Sequence, residues 1–203
     1  MKRLLSALAV ASLVGIAAPA HARLELDSPG AHEGFYLRMG LGPSALKFGV
    51  DGLDVKGTGV GFNLALGGTI APNLILFGEV TSSAASNPTV AQGGDIWRAD
   101  RSSFAVVSIG PGLTYYFMPA NVFLSGSLLL TQVQFSDMYS REDTEYGPGA
   151  RLALGKEWLV GRNWGLGLAA DAAWSSIPPT NPSSGAKNAT TTSFGLSFSA
   201  TYN

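Results

Sequence analysis

Ser193-Phe194-Gly195-Leu196-Ser197-Phe198-Ser199-Ala200-Thr201-Tyr202 is the stretch whose reading decides the fold. Its even positions, Phe194, Leu196, Phe198, Ala200 and Tyr202, are apolar. Its odd positions, from Ser193 to Thr201, are small or polar. Residues i and i+2 of a strand share a face, so this run is a β-strand with one greasy face and one small, wettable face.

The preceding run repeats the pattern. Trp164, Leu166, Leu168, Ala170, Ala172 and Trp174 fall on one face, while Gly165, Gly167, Ala169, Asp171 and Ala173 fall on the other. The two tryptophans are ten positions apart. At about 3.3 Å per residue and a tilt near ~40°, they project to roughly 25 Å, the height of the apolar band of a membrane barrel. They are expected to mark the two membrane interfaces.

The same period-2 signal recurs upstream in 34–44, 57–70, 103–118 and 147–160. Leu74 to Ser82 and Val122 to Phe135 are apolar on both faces for part of their length, and are placed as strands by the turns beside them. Short turns are expected at Ala71-Pro72-Asn73, Pro119-Ala120-Asn121 and Gly161-Arg162-Asn163, all rich in turn formers. Between them lie longer polar stretches at about 45–56, 83–102, 136–146 and 177–189, expected as loops. Three short turns alternating with four long loops define eight strands with both termini on the short-turn side, the habit of an up-and-down barrel in the outer membrane. On that plan the short turns are periplasmic and the long loops external.

The first 22 residues read as a cleavable signal peptide. Lys2 and Arg3 precede the apolar run Leu4 to Ala18, and Ala20-His21-Ala22 is a small-x-small cleavage site. Residues 23–33 are then a short periplasmic segment and 34–203 the barrel. Cleavage leaves 11 basic residues (13 − 2) against 14 acidic ones, a balance that argues against nucleic acid as a partner, which wants a basic face. With no Cys in the chain, a disulfide framework, thiolate metal sites and a lipid-modified N-terminal Cys are excluded. Charged residues make up 13% of the chain, against about 25% in an ordinary globular protein, yet no run after the signal is long enough for a membrane helix. Strands whose outer face meets lipid satisfy both facts.

Which face is out follows from volume. An eight-stranded lumen is only just wide enough for side chains to fill, so Gly, Ser and Ala suit the inside and the large apolar residues the outside. A soluble, lipocalin-like binding barrel of opposite polarity is the second alternative. Inside, a polar network of Arg38, Glu79, Arg151, Glu157 and Asp171 is expected, with Arg38 and Arg151 each meeting a carboxylate, because a buried unpaired charge is heavily penalised. Phe35, Tyr115, Phe117, Trp158, Trp164 and Tyr202 form an expected aromatic girdle at the periplasmic rim, with Trp174 at the outer one. Alternation points Lys156 outward beside Trp158, where it can snorkel to the interface, unless a bulge turns it inward. Phe104, Val106, Phe123, Leu129 and Val133 face inward and are read as plugging the lumen; the alternative is an apolar pocket near the outer half.

Gly34-Phe35-Tyr36-Leu37-Arg38-Met39-Gly40, Ile109 to Phe117 and Gly155-Lys156-Glu157-Trp158 resemble the small outer-membrane barrel families typified by OmpA, OmpX and OmpW. The resemblance covers 33–203 and rests on pattern rather than on a diagnostic motif. It implies contact with outer-membrane lipid and lipopolysaccharide, and insertion by the barrel assembly machinery through a terminal signal here represented by Phe198, Ala200 and Tyr202. Relatives that modify lipid A use His-dependent chemistry. General-base activation of Ser usually needs a His, and His32, the one His left after cleavage, has no Ser and acid partner at a suggestive spacing. No catalytic residue, cofactor or metal is expected. The acidic third loop, with Asp137, Glu142, Asp143 and Glu145 against Arg141, lacks EF-hand spacing. The function read from the sequence is a monomeric, plugged outer-membrane barrel with a structural or surface-contact role; a narrow channel, or an OmpW-like route for small hydrophobic molecules, is the alternative.

Overall fold

The structure is a computed structural model and describes residues 32, 34–180 and 185–203. The signal peptide expected at 1–22 lies outside these residues, as does all of the segment 23–33 except His32.

Eight long strands form one closed antiparallel barrel. They are β1 (Phe35–Val50), β2 (Leu53–Ala71), β3 (Leu74–Ser86), β6 (Ser103–Phe117), β7 (Val122–Ser136), β9 (Gly147–Leu159), β10 (Trp164–Ile177) and β11 (Ala189–Tyr202). Each pairs with its neighbours in sequence, and β1 pairs with both β2 and β11, which closes the sheet. Closure leaves no open sheet edge for lipid to meet, the condition for β structure in a membrane. The eight-stranded antiparallel fold expected from the alternation is the fold observed.

Three shorter strands, β4 (Thr89–Gln92), β5 (Asp95–Arg98) and β8 (Arg141–Asp143), extend the wall at one end. Three of the expected loops there, 45–56, 83–102 and 136–146, contain β structure. β1 and β2 pair without interruption to Val50↔Leu53, so 45–56 is a hairpin whose turn is Asp51-Gly52. Both turn residues have positive φ, 42° and 81°, the requirement of a tight type I′ turn that Asp-Gly meets at low cost. The stretch 83–102 holds the end of β3 and the β4–β5 hairpin, with β4 paired to β2. Within 136–146, β8 continues the β7–β9 hairpin. The opposite end carries the three short turns and the chain's C-terminus, where Asn203 and Asn163 exchange hydrogen bonds. We call the two ends the hairpin end and the short-turn end.

Over most of the barrel the apolar face is out. Leu41, Phe62, Leu152, Leu168, Phe194 and Phe198 are each more than two-fifths exposed, while the buried interior is rich in Ser and Thr and holds Arg38, Glu79, Arg151 and Glu157. Towards the hairpin end the polarity inverts. There Leu46, Phe48, Val55, Phe104, Val133 and Ile177 point inward and pack together, and Lys47 and Lys56 point outward.

Candidate functional site

The lumen has three storeys, built by the inward-facing alternate residues of all eight strands. At the short-turn end, Tyr36, Ile75, Phe77, Tyr116, Phe123 and Ala153 pack into one apolar cluster. Phe123 is the second residue of β7, beside a short turn, so it belongs here and not, as expected, to the outer half with Phe104 and Val133. Arg38 also lies here. It makes no ion pair among the described residues. Its guanidinium sits instead over the Phe123 ring, 4.4 Å from the centroid, where the ring quadrupole attracts it. The expected Arg38–carboxylate contact is therefore replaced by a cation–π contact, because β1 sets Arg38 level with the rings of the plug.

Glu157, almost fully buried, accepts hydrogen bonds from the Tyr116 hydroxyl (3.0 Å) and the Thr201 hydroxyl (2.6 Å). Below it, His32 seals the mouth. The imidazole is 4% exposed and stacks on Tyr116 with ring centroids 3.7 Å apart. Its Nε2–H donates to Asn121 Oδ1 at 2.7 Å, and Nδ1 faces the Asn203 side-chain amide. The His32 carbonyl accepts from Thr69 Oγ1 (3.1 Å), and its backbone N–H donates to Asn73 (3.4 Å). One residue thus joins two short turns and the C-terminus. Sequence reasoning gave His32 no role, since its partners lie 41, 89 and 171 positions away.

The middle storey is polar. Arg151 Nη1 meets Glu79 at 3.0 Å and Nη2 meets Asp171 at 3.3 Å. Asp171 stands on β10, the strand beside β9, and Glu79 on β3, so the triad ties β9 to its neighbour and, across the lumen, to β3. It borders a cavity of about 40 Å³ lined by Ser44, Asn63, Thr131 and Asp171 among others, room for roughly three water molecules. Above it, the hairpin-end cluster closes the lumen with Phe48 and Phe104 packed on Phe135, centroids 5.2 and 6.1 Å apart.

On the outside, Phe35–Tyr202, Trp164–Tyr202 and Tyr115–Phe117 are in ring contact at the short-turn end, 6.4, 5.3 and 5.0 Å between centroids. Trp158 stands in the same zone with Lys156 Nζ 6.0 Å from its ring, and Trp174 is exposed at the other end of β10. In the third hairpin, Asp137 accepts from the backbone of Tyr139 and Ser140 and from the Ser140 hydroxyl. These bonds to its charged form hold its carboxyl below the ordinary 3.8. Arg141 pairs with Asp143 at 3.3 Å. Among the described residues no group of three or more His, Cys, Asp or Glu is placed to hold a metal.

A closed eight-stranded barrel, apolar outside and polar within, defines an outer-membrane protein, and the polarity sets aside a soluble ligand-binding barrel. The chain belongs to the family of outer membrane protein β-barrel domains, which matches residues 7–201. Among solved structures it is similar to Neisserial surface protein A, with 21% identity, 85% of this chain and 98% of that one covered and a TM-score of 0.57. It is also similar to the outer membrane protein AlkL in lipid bilayers, with 16% identity, coverage of 88% and 93% and a TM-score of 0.51. At these identities the likeness is one of fold. A comparison with curated protein sequences finds no match.

Proposed function

We propose that this protein is a closed, non-conducting and non-catalytic barrel that reinforces the outer membrane and offers its hairpins for surface contact. The observation that carries the reading is the double plug. Two separate apolar clusters close the lumen, and the polar cavity between them holds only about 40 Å³. In this reading the short turns and both termini face the periplasm, and the β4–β5 and β7–β9 hairpins stand outside the cell. The alternating lengths of the connections support that orientation.

Purified protein reconstituted in a planar bilayer is expected to give no unitary conductance steps. Reproducible steps would show an open path and favour the channel reading instead. Orientation is tested separately: protease added to intact cells should cut the exposed tip at 137–140, whereas cutting only after permeabilisation would reverse it.

A further inference from the structure

The lumen does not balance its own charge. Among the described residues, Arg38 and Arg151 stand inside the wall against Glu79, Glu157 and Asp171, which leaves one negative charge over. The surplus falls in the middle storey. Arg38 shares the short-turn storey with Glu157, whereas Arg151 alone answers both Glu79 and Asp171. Its Nη1 goes to Glu79 at 3.0 Å, and its Nη2 and Nε go to Asp171 at 3.3 and 3.4 Å. A net charge enclosed by a wall that lipid surrounds is heavily penalised unless an opposite charge joins it.

The same storey has room and oxygens. Its cavity of about 40 Å³ is lined by Asp171 from β10, Ser197 from β11 and Asn63 from β2. Asn63 Oδ1 and Ser197 Oγ are buried and have no hydrogen-bond partner among the described residues. Ser44 donates to Ser83 at 3.3 Å, and Ser108 and Thr131 share a bond of 2.9 Å. A hydroxyl oxygen carries two lone pairs, so these pairs keep acceptor capacity towards the cavity they line. Two glycines keep the space open. Asp171 leans over Gly195 and Asn63 over Gly40, their cross-strand neighbours. A methyl group there would meet Asp171 Oδ1 at 2.9 Å and Asn63 Oδ1 at 2.8 Å, and would push both side chains off the wall.

We propose that the middle storey holds one alkali-metal cation beside Asp171, with Asn63 Oδ1 and the neighbouring hydroxyl oxygens as its other ligands. Hard cations take oxygen ligands, and neutral carbonyl oxygens can stand in for the hydration shell of a monovalent ion. The charge selects the class. A single positive charge cancels the surplus, whereas a divalent ion would overshoot it. A divalent ion also finds no group of three or more His, Cys, Asp or Glu to hold it among the described residues. Bound there, the cation makes the lumen neutral and joins β2, β10 and β11 from within.

The test uses the full barrel, refolded and crystallised with rubidium as the sole alkali ion, so entry through a closed lumen does not enter. Rubidium stands in for potassium and is located by its anomalous scattering. Wild type should show a rubidium peak in the lumen, in contact with Asp171 and Asn63. Asp171→Asn removes the surplus charge at nearly constant shape and should lose the peak; Asp137→Asn, in the third hairpin, should keep it. A wild-type lumen without rubidium, an adventitious ion only at the exposed hairpins, or a peak that survives Asp171→Asn would each overturn the proposal. Thermal unfolding in a non-ionic detergent gives a second measure. Wild type should melt higher in potassium chloride than in choline chloride of equal ionic strength, since choline is too large for the cavity. Glu79→Gln, which also neutralises the storey, should melt at the same temperature in both salts. A wild type indifferent to the salt would mean that a proton offsets the charge, and would overturn the proposal as well.

Discussion

His32 ties two short turns and the C-terminus together at the short-turn end. Removing its ring leaves the Asn121 and Asn203 side chains without their partner on it and uncovers one face of Tyr116. Leaving a buried polar group unsatisfied costs about 1–3 kcal/mol. His32→Ala should therefore lower the temperature at which the compact detergent-gel form converts to the unfolded one, with the barrel still closed below it; an unchanged midpoint would show the latch to be idle. The two buried arginines separate in the same assay. Arg151→Met strands Glu79 and Asp171, and breaking a buried ion pair from one side costs about 3–5 kcal/mol. Arg38→Met, which gives up a cation–π contact and no ion pair, should cost less, and Glu79→Gln should partly rescue Arg151→Met. That Arg38, Arg151 and the three acids face inward was legible from alternation alone, because parity along a strand needs no partner. Which pairs touch was not legible, because that depends on the shear of the closed barrel, and His32 on a mouth that exists only once the barrel has closed.

Among the elements, β1 and β2 explain why the hairpin end was read as loop. In the lipid-facing part the even residues of β1 are small or polar and the odd ones apolar; beyond Ser44 the even residues Leu46 and Phe48 are apolar and buried, and the odd residue Lys47 is exposed. The strand keeps its period but exchanges its faces, because outside lipid a barrel wall must be apolar inward like a soluble one. Asp51-Gly52, a strong tight-hairpin signal, marked the true turn. β4 and β5 are an excursion of a different kind, since β3 and β6 already pair to Ser86↔Ser103. Replacing 88–101 with a two-residue turn should leave a heat-modifiable barrel, weakened by the loss of the β2–β4 pairing and of Val90 from the hairpin-end cluster; failure to close would make the excursion part of the folding core. In the third hairpin, the depressed Asp137 carboxyl contributes order that is present above its unfolded value and lost as pH falls below 3.8 and through the lowered pKa. Protease cutting at 137–140 should accordingly speed up in Asp137→Asn at neutral pH, towards a rate at which wild type and variant agree in acid; a variant cut no faster than wild type would deny the carboxylate that role.

For the molecule as a whole, two plugs in one lumen act in series, and a series path conducts only when every barrier is open. The short-turn cluster hangs on Tyr116 and Phe123, the hairpin-end cluster on Phe48 and Phe104, and the polar storey between them borders a cavity of about 40 Å³. Tyr116→Ala with Phe123→Ala therefore opens one mouth onto a closed room, and so does Phe48→Ala with Phe104→Ala from the other side. Neither pair alone should yield current in a planar bilayer. The fourfold variant should, with a preference for cations, since Glu79, Glu157 and Asp171 outnumber Arg38 and Arg151 along the lumen. Current in either double variant would mean that one cluster is the sole gate and the other a lining, which is the arrangement a transporter needs and a strut does not. The comparison thus asks the wall itself which of the two functions it was built for.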